Sequence, residues 1–161
     1  MWSDLRRDIE GIRRELQIPE ADFSPLPHTT DWHRLEENIY STFCQIEEKK
    51  RPGWLWEKFK LECYSLQTEK LPDTILDQLV PNDETVWFML TNRDKFLFYQ
   101  GKVKAIQKVL PETTYLDEYY LINKRYKWLL SVNHHDILAG TGEFIIEQLK
   151  SLEQRSPELL K

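Results

Sequence analysis

Two cysteines in 161 residues, Cys44 and Cys63, are too few for the disulfide framework of a small secreted domain. Both are expected as reduced thiols in the core. Long apolar runs are also missing. The run Val86-Trp-Phe-Met-Leu90 is unexceeded, against the about 20 residues a membrane-crossing helix requires, so no membrane association is expected. The opening Met1-Trp-Ser-Asp-Leu-Arg-Arg7 lacks the apolar centre of a secretory signal, which makes the cytoplasm the expected location. Positive charge is in deficit, with 22 basic against 27 acidic residues and a net charge of −5. Phosphate contacts dominate nucleic-acid affinity, so nucleic acid is not an expected partner. Glycine is scarce at five residues, and no glycine pattern completes a dinucleotide fingerprint or a P-loop.

What the chain has in quantity is aromatic surface: six Trp, seven Tyr and seven Phe. Large rings cover the most area per side chain, so they fill a core or a docking face. Length and apolar content fit one domain over residues 1–161. Its first part, 1–50, reads as helical. Leu5, Ile9, Ile12 and Leu16 recur at helical spacing up to Pro19. The prolines of Phe23-Ser-Pro-Leu-Pro27 impose an extended link. Asp31 or Thr30 then caps a helix carrying Trp32, Leu35, Ile39, Phe43 and Ile46, which Lys49-Lys-Arg-Pro-Gly53 stops.

A sheet-containing core is expected over 54–152. It begins with a short helical turn at Trp54–Phe59, and Phe59–Cys63 fits helix or strand. Asp73 is placed to cap a helix through Val80. Two hairpins follow, Val86–Thr91 with Phe96–Gln100 and Tyr119–Asn123 with Trp128–Val132. Between them lies a helix from Lys102 to Leu110, and Gly140-Thr-Gly142 opens a last helix from Glu143. Residues 153–161 form a tail, unanchored from Ser156. The fold class is α+β: a mainly antiparallel sheet of about four to five strands with N-terminal helices and a C-terminal helix packed on it.

Chemistry concentrates in Asn133-His-His-Asp136, directly after an apolar strand. In extended backbone His134 and Asp136 project to one side and His135 to the other. The remaining histidines, His28 and His33, lie in an early segment, so the ligand set of a zinc site is incomplete and neither a metal nor another cofactor is expected. Bonding of Asn133 or Asp136 to the local backbone is the plain structural use of these residues. The catalytic use has His134 or His135 as acid or base, oriented by Asp136 or Glu143. Trp54 and Trp56, after Pro52-Gly53, serve either the core or a recognition or self-association patch. A basic island at Lys102, Lys104, Lys108, Lys124, Arg125 and Lys127 is either a solvated face or a receptor for an acidic partner.

The stretches Phe98-Tyr-Gln-Gly101, Glu118-Tyr-Tyr-Leu-Ile122, Tyr126-Lys-Trp-Leu-Leu130 and Asn133-His-His-Asp136 resemble a family of small uncharacterised bacterial proteins, over roughly residues 54 to 149. The family is a domain of unknown function, so the resemblance implies a small α+β fold and no activity. The order of helices leading into an aromatic sheet also resembles small acidic bacterial domains such as toxin-immunity proteins and the SMI1/KNR4 group. Fold likeness assigns no function by itself. With no recognisable nucleophile, metal set or phosphate loop, the expectation is a protein-binding module of immunity or regulatory type, its partner a protein such as a toxin. The alternative is a small-molecule hydrolase or other enzyme with a site around Asn133–Glu143.

Overall fold

The hairpins expected from the aromatic runs are the centre of a larger sheet. In a computed structural model that describes residues 4–46, 54–93, 95–113 and 116–161, seven strands form one antiparallel sheet. The strands are β1 (Phe23–Pro25), β2 (Cys63–Gln67), β3 (Thr85–Asn92), β4 (Lys95–Lys102), β5 (Tyr119–Asn123), β6 (Leu129–Val132) and β7 (Ile137–Thr141), in spatial order β1-β4-β3-β5-β6-β7-β2. The expectation of four to five strands is therefore too low. The additional ones are β1, β2 and β7. Pro25 is compatible with β1 because that strand lies at an edge, where a missing N–H costs no ladder bond.

Among the described residues four α-helices cover the sheet: α1 (Asp4–Glu15), α2 (Trp32–Phe43), α3 (Val103–Val109) and α4 (Glu143–Arg155). One buried cluster joins Ile9 of α1, Val103 and Ile106 of α3, and Ile145 and Leu149 of α4 to Phe88, Leu121 and Leu130 of the sheet. The other joins Leu35, Ile39 and Phe43 of α2 to Met89, Tyr120, Ile122 and Leu129. Successive strand residues alternate between the two clusters, as strand geometry requires. Both faces are covered, so the central strands carry apolar residues on both sides, with Val86–Leu90 of β3 and Tyr119–Ile122 of β5 as unbroken runs.

The helix ends follow local chemistry. Asp31 caps α2 by accepting from the Arg34 N–H at 3.1 Å. α1 stops before Pro19, its chain reversing at Gln17 with φ +55°. Arg13 is drawn in to brace that reversal, donating to the Ile18 carbonyl and to both carboxylate oxygens of Glu10. The expected stop signal at Lys49–Gly53 lies outside the described residues.

Three local expectations are corrected. Asp73 does not cap a helix; it lies inside a 3₁₀ turn, Pro72–Gln78, with its side chain buried. Gly140 and Thr141 end β7 instead of forming a loop, because Gly140 lets α4 approach: a Cβ there would lie 2.8 Å from Ile145 and Leu149 side-chain carbons. The tail is anchored. The Glu69 N–H donates to the Leu159 carbonyl and the Lys161 N–H to the Gln67 carbonyl, so the terminus lies along the outer edge of β2. An open strand edge is thereby paired over its last residues. No helix among the described residues is long and apolar enough to cross a membrane.

Candidate functional site

The polar run Asn133–Asp136 is the turn joining β6 to β7, so the extended-strand alternation expected for it does not apply. Asn133 is buried, and its Oδ1 accepts from the backbone N–H groups of His135 at 2.9 Å and Ile137 at 3.2 Å. The Asp136 N–H returns to the Asn133 carbonyl, and Asp136 sits at φ +59°. The β5–β6 turn is built the same way. Asn123 Oδ1 accepts from the Arg125 and Lys127 N–H groups, and Tyr126 sits at φ +56°. Asparagine bonds the backbone ahead of it, and the fourth residue takes the left-handed conformation that closes a three-residue hairpin loop. The Asn133 side chain is thus committed to its own loop, which pushes His134 and His135 outward.

Both imidazoles are exposed, with ring centroids 3.9 Å apart. Trp54 lies alongside, its ring 6.0 Å from that of His134 and stacked at 6.1 Å and 13° on Trp56. A 3₁₀ turn over Leu55–Lys58 delivers these indoles: buried Leu55 points into the α2-side cluster while Trp54 and Trp56 stay at the surface. Core filling, one of the two uses read for the pair from the sequence, therefore holds for neither in full. Trp54 is 43% exposed.

The shelf of four rings rests on a carboxylate that the sequence reading did not single out. Glu118, 1% exposed, accepts from Trp56 Nε1 at 3.0 Å and from the Tyr120 hydroxyl at 2.8 Å. Tyr120 Oη in turn accepts from the Leu55 N–H at 3.2 Å. Burial raises the Glu118 carboxyl above the usual carboxylate range, and the two hydrogen bonds and the nearby His134 oppose that rise without cancelling it. Its one legible signal was position: Glu118 directly precedes the apolar run Tyr119–Ile122.

The remaining predicted site residues lie elsewhere. Glu143 begins α4 beyond the far end of β7, where Thr141 pairs with Leu129. Lys124 and Arg125 occupy the β5–β6 turn at that same far end. Strand β6, four residues or roughly 13 Å, separates them from His134. The basic island is divided further: Lys102 pairs with Asp22 at 3.0 Å, Lys104 with Asp83 at 3.3 Å, and Lys124 donates to Gln100 Oε1 at 2.9 Å. Among the described residues no hydrogen bond joins either histidine ring to Asp136 or Glu143, and no group of three His, Cys, Asp or Glu side chains is placed to hold a metal. Cys44 is buried, with its thiol pushed up to about 12 by desolvation, whereas Cys63 is exposed, against the expectation that both fill the core.

Two of the concavities among the described residues adjoin residues named above. A groove of about 770 Å³ runs beside β1, between Arg6 and Glu10 of α1 and Trp32 of α2. A smaller pocket of about 310 Å³ lies beneath the β6–β7 turn and is shared by Asn133, His134 and Asp136.

No curated protein matches the sequence. The resemblance to the SMI1/KNR4 group finds no support in the comparisons. The family model that does match spans residues 1–153, well beyond the region on which the resemblance rested, so the chain belongs to the family of unknown function DUF6756.

Proposed function

We propose that this protein is a protein-binding module of immunity or regulatory type, acting in the bacterial cytoplasm, whose recognition face is the shelf of Trp54, Trp56, His134 and His135. The observation that carries the reading is Trp54, an exposed indole stacked on a neighbour that is itself tied to the buried Glu118. Tryptophan is enriched among residues that dominate binding energy, and a ring held in place before association loses less conformational freedom on binding. The catalytic alternative is less well supported, since among the described residues no hydrogen bond joins either imidazole to Asp136 or Glu143, and Glu143 lies at the other end of β7.

The experiment is co-expression with the products of adjoining genes, followed by titration calorimetry on any complex that co-purifies. A stoichiometric complex is expected, and Trp54→Ala should weaken it by about 30-fold, corresponding to roughly 2 kcal/mol. Absence of any complex, or a complex indifferent to Trp54→Ala in a variant that retains the parent circular dichroism spectrum, overturns the reading.

A further inference from the structure

The groove beside β1 shares no residue with the indole shelf. Leu26, Trp32, Phe96 and Phe98 supply its apolar lining, and Trp32 is 40% exposed. Four charged side chains line it as well, Arg6, Lys95, Glu10 and Glu20, and they do not simply cancel. Arg13 holds both oxygens of Glu10 at 2.7 and 2.9 Å, and Arg14 adds a bond at 3.0 Å. Glu20 lies 3.8 Å from the same Arg13. Neither Arg13 nor Arg14 lines the groove, so both acids are answered by cations from outside it. Lys95 is exposed and has no ion pair or side-chain hydrogen bond among the described residues. The Arg6 guanidinium is held 5.6 Å above the Tyr99 ring, a cation–π contact that fixes it at the rim. In a chain of net charge −5, this aromatic groove therefore presents positive charge.

The edge of β1 decides what kind of occupant fits. The Lys102 N–H donates to the Asp22 carbonyl and the Leu26 N–H to the Phe98 carbonyl, so Phe23 and Pro25, alternating with them, turn their backbone outward. The Phe23 N–H is already given to the Pro19 carbonyl, and Pro25 and Pro27 have none. A peptide laid along this edge as an added strand finds no main-chain donor there.

We infer that the groove binds a small amphipathic carboxylate, its anionic head met by Lys95 and Arg6 and its alkyl or aryl body covering Trp32, Leu26 and the two phenylalanines. Ammonium and guanidinium donors both form charge-assisted bonds to a carboxylate. The volume, about 770 Å³, lies within the range of small-molecule sites.

The test is titration of the full-length, ¹⁵N-labelled protein at pH 7.5 and matched ionic strength, read in two-dimensional amide spectra. The probes are sodium 4-phenylbutyrate, sodium octanoate, neutral 4-phenylbutanamide, 4-phenylbutylammonium chloride and the capped tripeptide acetyl-Phe-Asp-Phe-amide. Saturable shifts at Ser24, Leu26, Phe96 and Phe98 are expected with at least one of the two acids, and whichever saturates at lower concentration identifies an aryl or an alkyl body. The neutral amide should bind about tenfold more weakly, and the ammonium compound should leave these amides in place. Lys95→Gln, at an exposed position, should weaken the acid by about tenfold and Arg6→Gln by several-fold. A loss confined to one of the two variants assigns the head group to that cation. The inference is overturned if neither acid saturates below about 10 mM, if the amide or the ammonium compound binds as well as the acids, or if both variants bind unchanged. Tighter binding of the tripeptide than of either free acid overturns the assignment to a small molecule. No protein partner enters this experiment, so its outcome is separate from that of the recognition shelf.

Discussion

Replacing Glu118 with alanine tests the link between the buried carboxylate and the indole shelf. The Tyr120 hydroxyl, fully buried, loses its acceptor, at about 1–3 kcal/mol. Loss of the buried side-chain stem adds about 1 kcal/mol. The indole N–H of half-buried Trp56 turns to water at little cost. The expected loss is therefore about 2–4 kcal/mol where Glu118 is neutral in the parent. For a chain of this length that corresponds to a fall in Tm of roughly 5–15 °C. The pH dependence has a definite sign. The folded-state pKa of Glu118 is raised, so its contribution is complete below the ordinary glutamate range and declines as pH rises through that range toward the folded value. The gap between parent and Glu118→Ala should accordingly narrow from pH 4 upward. Urea unfolding followed by tryptophan fluorescence at several pH values measures it, and a double-mutant cycle with Tyr120→Phe should return a coupling of about 1–3 kcal/mol. A loss under about 0.5 kcal/mol at pH 4, or a gap that widens with pH, would refute the reasoning.

Further outcomes follow from other parts of the molecule. Gly142 sits at φ +103°, where a Cβ would lie 2.3 Å from the Lys127 carbonyl oxygen, so Gly142→Ala should cost about 3 kcal/mol or more in a denaturant titration; a neutral result would contradict the packing of α4 onto the β5–β6 turn. Truncation after Arg155 removes half-buried Leu159 and Leu160 and the bonds along β2, and should lower stability by about 2 kcal/mol or more, with amide exchange accelerating at Gln67 and Glu69. A thiol reagent at pH 8 should label one cysteine rapidly, Cys63, and reach Cys44 only with unfolding; two fast equivalents in the native protein would contradict the burial of Cys44.

How much was legible depended on the range of the interaction. The Asp31 cap, the Val86–Gln100 and Tyr119–Val132 hairpins and the last helix rest on contacts within one element or one turn, and the sequence carries those signals directly. Strands β1 and β2 were missed as strands because each is short and pairs across long sequence separation, Phe23 with Gly101 and Cys63 with Thr141. β7 was hidden by its composition, since Gly140 usually interrupts a strand and here makes room for Ile145 and Leu149. Among the candidate residues, Asn133, His134, His135 and Asp136 belong together because they are consecutive, while Glu143 is separated from them by the length of β7.

By itself the sequence determined an α+β fold class with an aromatic core and a polar run directly after an apolar strand, because hydrophobic periodicity, turn residues and charge counts are properties of neighbours along the chain. Tertiary structure alone decided that Trp54 and Trp56 meet His134, that Glu118 stands beneath them, and that Asp73, Tyr119 and Asp136 share one pocket. Those groups lie tens of residues apart, and only the register of β5, β6 and β7 and the path of two 3₁₀ turns bring them to the same end of the sheet.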